Sequence, residues 1–254
     1  MLIDSHAHIT NEYYDDIETV INDAKKNNVL KIINCATSLN DIEEITKISN
    51  KYNINYAIGI HPEEADKLDE VLKQKLEGYI VENIQNKNFV ALGEIGLDYY
   101  YTKENRDKQI ELFDYQLLLA EKYKKPVIIH SREATLDTIN ILKKHNVKGV
   151  IHCFSGSYET ACEYIKLGFA LGIGGVITFK NCNLKDYVDK IDLKNIILET
   201  DCPFMTPEPF RKYKNEPKYV LETAKFLSSI MQIPLEKLEE ITTKNCKEIF
   251  DIEW

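Results

Sequence analysis

The chain has 254 residues, of which 44% are hydrophobic, and this is enough for one large core, so we interpret residues 1–254 as a single domain. A formal net charge of −9 argues against a surface that coats nucleic acid through many Lys and Arg contacts, although a local basic patch is still allowed. The six cysteines are scattered, the longest low-charge run (168–179) is too short to cross a membrane, and the N-terminus lacks a cleavable apolar stretch. We therefore expect a cytoplasmic protein without a membrane span.

Apolar, β-rich runs alternate with amphipathic stretches along the whole chain. The runs are 2–3, 30–33, 56–60, 89–92, 127–129, 149–151, 169–173 and 196–198. Helical periodicity is found at 17–26, 41–52, 66–84, 106–123, 134–145 and 158–167, more weakly at 183–191 and 217–230, and finally at 235–250. Eight β/α units predict the α/β class and a (β/α)8 TIM barrel, with a doubly wound open sheet as the competing fold.

Histidines and carboxylates stand where the apolar runs end. His6 and His8 follow the first run in a His-x-His pattern, which places both side chains on one face of a strand. The residues that close later runs are His61, Glu94, His130, His152 and Asp201. Because the carboxyl ends of barrel strands meet on one face, these side chains are predicted to converge there on a metal centre. His145 lies inside a helical stretch and is interpreted as a surface residue.

The number of ligands predicts two metal ions. A single tetrahedral catalytic ion takes three protein ligands and a water, whereas four imidazoles and two carboxylates are available here. A carboxylate can bridge two cations and histidine cannot, so Glu94 is the predicted bridge. The remaining ligands are assigned as His6, His8 and Asp201 for one ion, and His130 and His152 for the other.

Two ions about 3.5–4 Å apart can share a water and deprotonate it near neutral pH, which is hydrolytic chemistry. Asp201 is expected to act both as a ligand and as the general base, and Glu94 contributes to catalysis as the bridge. Asp4 is assigned as the partner that fixes a histidine tautomer. Asp98 and Glu199 are expected to support the ligands from behind, with a structural ion pair as the alternative.

The chain resembles the TatD-type metal-dependent deoxyribonucleases of the amidohydrolase-like barrels. The matching segments are Asp-Ser-His-Ala-His (4–8), Gly-Ile-His-Pro (59–62), Gly-Glu-Ile-Gly-Leu-Asp-Tyr (93–99), Ile-His-Ser-Arg-Glu-Ala (129–134), His-Cys-Phe-Ser-Gly-Ser (152–157), Val-Ile-Thr-Phe-Lys-Asn (176–181), Leu-Glu-Thr-Asp-Cys-Pro (198–203) and Asn-Glu-Pro (215–217). The resemblance implies the same six ligands. It also implies a divalent cofactor (Mg, Mn or Zn) and phosphodiester hydrolysis in DNA, as a 3′–5′ exonuclease acting on single strands or 3′ ends.

Residues beside the metals are assigned to the substrate, namely His61, Arg132, Lys180 and Arg211. Arg132 and Lys180 suit phosphate oxygens or surface salt bridges equally. Arg211 belongs with Lys212 and Lys214 to a basic loop, 207–217, which we interpret as a phosphate-binding lid. Glu63 departs from the family pattern, and it places negative charge near the substrate path. The aromatic residues Phe154 and Tyr99 to Tyr101 are candidates for base stacking, although packing is the favoured role for most of them.

Two other functions stay open at this stage. A metal-dependent amidohydrolase or ester deacylase would use the same hydrolytic groups, and a barrel that only binds metal or a partner would need no catalysis. The intact ligand set and Asp201 favour an enzyme. The sequence does not predict the oligomeric state or which metal is bound.

Overall fold

A computed structural model describes residues 1–252 and contains eight parallel strands in one sheet, in the order β1 to β8. The strands are β1 (Leu2–Ala7), β2 (Val29–Cys35), β3 (Asn55–Ile58), β4 (Phe89–Asp98), β5 (Val127–Arg132), β6 (Gly149–Ile151), β7 (Phe169–Ile173) and β8 (Ile196–Leu198). The helices are α1 (Ile17–Lys26), α2 (Leu39–Tyr52), α3 (Glu70–Asn83), α4 (Arg106–Tyr123), α5 (Thr135–Leu142), α6 (Tyr158–Lys166), α7 (Val220–Met231) and α8 (Leu235–Phe250). The alternation confirms the predicted barrel.

The sheet closes between β1 and the chain that follows β8. The backbone N–H of Asp201 donates to the carbonyl of His6 at 3.0 Å, and the N–H of His8 donates to the carbonyl of Cys202 at 2.8 Å. Closure therefore joins the segments that carry three of the predicted ligands. The first strand and the last come together at the mouth of the barrel.

The core has two parts because each strand has two faces. The larger part packs the helices on the outside of the sheet, for instance through Ile42 and Ile45 of α2. The smaller part takes at least one residue from every strand and adds Cys246 and Phe250 of α8. It fills the barrel interior, as in other TIM barrels. Helix α8 thus packs against the end of the barrel opposite the mouth.

Several predicted elements differ from the structure: β1 and β5, for example, continue to Ala7 and Arg132, beyond their predicted ends at residues 3 and 129. The weak helical stretch 183–191 is not an α-helix but two short 3₁₀ turns, Asn183–Asp186 and Val188–Lys190, so no α-helix connects β7 to β8. Strand β4 continues to Asp98, beyond the predicted end at residue 92. The extension carries Glu94 and Asp98 into the mouth. Within residues 1–252 no helix has the length and apolar character needed to cross a membrane.

Candidate metal centre

The six predicted ligands come together at the carboxyl ends of the strands. His6 lies in β1, Glu94 in β4 and His130 in β5, whereas the other three ligands follow strand ends. Their side chains range from fully buried for His6 to 16% exposed for His130. Such burial holds the ligand atoms in place and removes most of the water that would compete with a cation.

The carboxylate of Glu94 lies between two pairs of histidines. Its Oε2 is 3.3 Å from Nε2 of His6 and 3.4 Å from Nε2 of His8. Its Oε1 is 2.8 Å from Nδ1 of His130 and 2.8 Å from Nε2 of His152. One oxygen therefore faces each pair, which is the arrangement that a bridging carboxylate requires.

The carboxylate of Asp201 lies beside the first pair of histidines, His6 and His8. Its Oδ1 lies 3.7 Å from Nε2 of His6 and 3.6 Å from Nε2 of His8. The backbone of Asp201 has a positive φ of 56°, a conformation that Asp adopts more readily than most residues. This turn at the end of β8 directs the carboxylate back over the mouth.

The donor set fits divalent cations. Three ligand atoms lie within 4.8 Å of one another in each of three groups drawn from the six residues, all buried except the half-buried His130: His6, His8 and Glu94; Glu94, His130 and His152; and His6, His152 and Asp201. Nε2 of His6 and Nε2 of His8 are 3.0 Å apart, and Nδ1 of His130 is 3.1 Å from Nε2 of His152. Imidazole nitrogens that face each other beside a shared carboxylate form a set suited to zinc and similar divalent ions.

Electrostatics also favour cations at this position. Burial raises the pKa of Glu94, but the neighbouring imidazoles of His152 and His6 outweigh burial and hold the pKa well below its ordinary value. For His8 the two effects have the opposite signs: burial lowers its pKa, and its contacts with Asp201 and Glu94 outweigh burial and raise the pKa to about 10. The carboxylates of Glu94 and Asp201, whose pKa values both lie below the ordinary ones, therefore stay ionised and attract positive charge, either protons or metal ions.

Carboxylates lie behind the rings of His130 and His152. Nε2 of His130 lies 2.9 Å from Oδ2 of Asp98, and Nδ1 of His152 lies 3.5 Å from Oε1 of Glu199. These contacts match the supporting positions predicted for the two carboxylates. The hydrogen bond to Asp98 fixes the orientation and tautomer of the His130 ring, whereas Nδ1 of His152 faces the charge of Glu199 without a hydrogen bond in the described residues.

Cys35 contacts the predicted ligands, and the sequence pattern did not predict this. Its Sγ lies 3.4 Å from Nδ1 of His6, and its backbone carbonyl lies 3.1 Å from Nδ1 of His8. One residue at the end of β2 thus contacts both rings of the His-x-His pair. The available signal was its position two residues beyond the second apolar run, which the sequence analysis left without a functional residue.

The predicted role of Asp4 is wrong. Its carboxylate accepts the backbone N–H of Thr200 at 2.8 Å and the hydroxyl of Thr200 at 2.6 Å, and it contacts His6 only through the backbone N–H. Burial raises the pKa of Asp4 to about 8. Asp4 therefore joins β1 to the end of β8 beneath the ligands and does not orient an imidazole.

His61 lies beside the second pair of ligands. Its Nε2 is 3.7 Å from Oε1 of Glu94, and its ring packs edge-on against that of His130 at 4.5 Å between centroids. Nδ1 of His61 accepts the backbone N–H of Glu63 at 3.3 Å, so a neutral ring carries its proton on Nε2. Burial lowers the pKa of His61 to about 3. His61 is therefore a neutral donor directed into the mouth.

The predicted substrate cations have different surroundings. Arg132, the last residue of β5, stacks on the ring of Tyr100 with 3.6 Å from Cζ to the centroid. Lys180 is exposed in the segment after β7. Arg211 stacks on Phe179 at 4.0 Å and donates to the carbonyl of Thr206 at 3.2 Å. Arg211 is thus attached to its own loop, and Arg132 is the cation nearest to a predicted ligand along the chain.

The interpretation of His145 as a surface residue is also wrong. Its side chain is only 5% exposed, and Nε2 lies 3.0 Å from Oδ1 of Asp114 in α4. Nδ1 lies 3.4 Å from a carboxylate oxygen of Glu121 in the same helix. His145 therefore packs against α4, apart from the metal centre.

Comparisons with known proteins find related sequences along nearly the whole chain. The family model described as TatD related DNase matches residues 3–251. The uncharacterized metal-dependent hydrolase YabD of Bacillus subtilis is 40% identical, covering 99% of this chain and 100% of its own length. The uncharacterized metal-dependent hydrolase YcfH of Escherichia coli is 32% identical over 99% of this chain and 96% of its own.

A solved structure of a related protein has the same fold. The crystal structure of YjjV, a TatD homolog from Escherichia coli K12, superposes with a TM-score of 0.93 at 30% identity. The alignment covers 99% of this chain and 98% of that one. The chain belongs to the TatD family of metal-dependent hydrolases.

Proposed function

We propose that the protein is a deoxyribonuclease that hydrolyses phosphodiester bonds in DNA as a 3′–5′ exonuclease, with two divalent ions per chain. The observation that carries the proposal is Glu94, whose two carboxylate oxygens each face a separate pair of imidazoles. The description of the matching family model, TatD related DNase, supports DNA as the substrate.

The ions are assigned to His6, His8, Glu94 and Asp201 on one side, and to Glu94, His130 and His152 on the other. When bound, two such ions lower the pKa of water and neutralise charge on a phosphodiester. The candidates are Mg, Mn and Zn. The mixed nitrogen and oxygen donors suit Zn and Mn better than Mg, which prefers oxygen.

The protein groups divide the remaining work. Asp201 is assigned to take the proton of the attacking water as that water's oxygen bonds to phosphorus and the bond from phosphorus to the 3′ oxygen breaks. The neutral N–H of His61 is available to a non-bridging phosphate oxygen, and the guanidinium of Arg132 offsets the charge of a neighbouring phosphate. Nucleotides would be released from the 3′ end one at a time, each as a nucleoside 5′-phosphate.

Glu63 gives the mouth an unusual charge for a nuclease. Its side chain is 58% exposed, with Oε2 3.8 Å from Nδ1 of His61. A carboxylate here repels phosphate unless a cation lies between them. We therefore expect the DNA backbone to approach the metal centre on the side of Arg132. Lys180 and the loop of Arg211 are assigned to phosphates farther from the cleaved bond.

Activity can be tested by stripping the protein of metal and adding back Mg²⁺, Mn²⁺ or Zn²⁺ with an oligonucleotide labelled at its 5′ end. A ladder of products shortened from the 3′ end supports the proposal. An amide and a carboxylate ester are assayed in parallel, because a metal-dependent amidohydrolase or ester deacylase would use the same residues. Turnover of those substrates without cleavage of DNA would overturn the proposal. Metal binding without any turnover would indicate a barrel that only binds metal or a partner.

A further inference from the structure

Exposed aromatic side chains are concentrated around the mouth of the barrel. Among residues 1–252, the large aromatic side chains on the surface are Tyr100, Tyr101, Tyr158, Phe204 and Tyr213. All five lie in segments that follow β4, β6 or β8, on the face that carries the metal centre. The exposed large residues of the outer helices are aliphatic except at Tyr158, which begins α6. The protein therefore exposes aromatic rings on the catalytic face.

Tyr100 and Tyr101 form the largest of these exposed aromatic surfaces. They are 53% and 68% exposed, and their rings meet edge to face with 4.9 Å between centroids and an angle of 84°. The guanidinium of Arg132 lies 3.6 Å from the centroid of Tyr100 and 5.1 Å from that of Tyr101. A stacked guanidinium keeps its in-plane N–H donors available for a phosphate.

The backbone beneath these rings is firmly attached to the barrel. Tyr99 is 6% exposed, its hydroxyl donates to Asp137 at 2.8 Å, and its N–H donates to the carbonyl of Arg132 at 2.9 Å. The N–H of Tyr100 donates to Oδ1 of Asp98 at 2.9 Å. Tyr99 therefore packs, whereas the next two tyrosines are presented to solvent by an ordered support.

The same support leads to the metal centre. Asp98 accepts the N–H of Tyr100 through Oδ1 and contacts Nε2 of His130 through Oδ2. His130 precedes Arg132 by two residues on β5. The aromatic surface and the predicted ligand are thus held by one carboxylate.

We propose that Tyr100, Tyr101 and Arg132 form a platform that stacks an unpaired base while Arg132 binds the phosphate attached to it. This proposal deepens the proposed nuclease function and rests on it for the identity of the substrate. A base inside a duplex has both faces covered by neighbouring bases, so only a single strand or a frayed end can use the platform. Because every base has a π face, the platform is tolerant of sequence.

Binding measurements test the platform independently of catalysis. The probes are two fluorescent phosphorothioate oligomers of equal length and charge, one with bases and one abasic. We expect Tyr101→Ala to weaken binding of the base-bearing oligomer about ten-fold, in line with the stacking energy of one base, and to leave the abasic oligomer unchanged. Tyr101→Phe keeps the ring and should bind as the wild type does. Val81→Ala, at an exposed apolar position on α3, is the matched control.

Arg132 is expected to respond differently. Arg132→Ala should weaken both oligomers and reduce the salt dependence, because the lost contact is to phosphate. If Tyr101→Ala weakens the two oligomers equally or neither of them, or if the wild type binds the abasic oligomer as tightly as the base-bearing one, the platform is overturned. Cleavage by the wild type is measured separately. Failure to cleave any DNA, with base-dependent binding intact, would overturn the nuclease function and not the platform.

Discussion

The thiol of Cys35 lies 3.4 Å from Nδ1 of His6, and the two groups have complementary hydrogen-bonding capacity. Burial raises the pKa of the thiol well above its ordinary value, so sulfur carries its proton, and Sγ lies 3.8 Å from the carbonyl of Ile33. The thiol can donate to that carbonyl and accept from Nδ1–H of His6. This direction leaves Nε2 of His6 free for a metal.

The first prediction tests this contact with Cys35→Ala. Loss of the acceptor should lower the affinity for the ion bound by His6, His8 and Asp201 about ten-fold, as for other groups that orient a ligating histidine. Cys35→Ser keeps an acceptor, so its metal affinity should be close to that of the wild type. Cobalt affinity is followed by absorption during competition with a chelator. Cys246→Ala removes a buried thiol at the opposite end of the barrel and serves as the control. Equal cobalt affinity in Cys35→Ala and the wild type would reduce Cys35 to a packing role.

The second prediction concerns Glu94→Gln. The amide keeps the size of the side chain but removes the charge and one of the two anionic oxygens, so both ions should be lost together. Elemental analysis should fall from two ions per chain in the loaded wild type toward zero. Loss of a single ion would show that Glu94 belongs to one site and does not bridge two.

A third prediction concerns stability and pH in the metal-free protein. The pKa of His8 is about 10 in the fold, against an unfolded value of about 6.5. Between these values the folded chain holds a proton that the unfolded chain has released, so stability falls as pH rises through this window. Thermal unfolding of the stripped protein should show Tm falling from pH 7 to 9.5.

His8→Gln provides the comparison for that experiment, because it removes the titrating ring. Its Tm should depend less on pH over the same range. Metal must displace the proton of His8, so loading at pH 7 should release protons, which calorimetry in buffers of different ionisation enthalpy can count. A Tm of the stripped wild type that rises with pH would contradict the assignment.

The sequence predicted the convergence of these side chains because their positions depend only on topology. In a parallel barrel, strand ends share one face, so His6, Glu94 and His130 could be placed together from the apolar runs alone. The extension of β4 as far as Asp98 was missed because Glu94 and Asp98 interrupt the apolar run. The energetic cost of burying these carboxylates is offset by imidazoles from other strands. Local propensity does not contain that information.

The partners of the ligands were harder to predict. Asp4 and His6 are two residues apart, and strand periodicity places them on one face, but the carboxylate of Asp4 is bonded to Thr200 across the closure of the sheet. Cys35 contacts His6 because β1 and β2 are neighbours, and a cysteine in an apolar strand resembles any other small core residue. Side-chain partners depend on distances across strands, which the pattern of residues does not specify.

The fourth prediction concerns Asp201→Asn. Asn tolerates the positive φ at this position, so the backbone turn should persist. The amide can still bind a cation through its oxygen but cannot accept the proton of the attacking water. Some metal should remain bound while turnover falls by about 10²- to 10⁴-fold. Full turnover in this variant would assign the base to another group.

The last prediction concerns the space beneath His152. Gly172 in β7 faces Glu199, and a Cβ at this position would lie 2.2 Å from Oε2 of the buried carboxylate. Oε1 of Glu199 accepts the N–H of Cys153 at 2.5 Å and lies 3.5 Å from Nδ1 of His152. A methyl group here must displace Glu199, whose carboxylate faces Nδ1 of His152.

Gly172→Ala should therefore lower the free energy of unfolding by about 1–3 kcal/mol, as for other overpacked sites, and should weaken the ion on the His130 and His152 side. Gly78→Ala is the matched control, since a Cβ at Gly78 in α3 meets no atom within 4 Å, and this change should stabilise the helix slightly. Shortening the carboxylate in the double variant Gly172→Ala, Glu199→Asp should recover part of the lost affinity. If Gly172→Ala lowers stability but leaves two ions bound as tightly as in the wild type, Glu199 supports the fold and does not position His152.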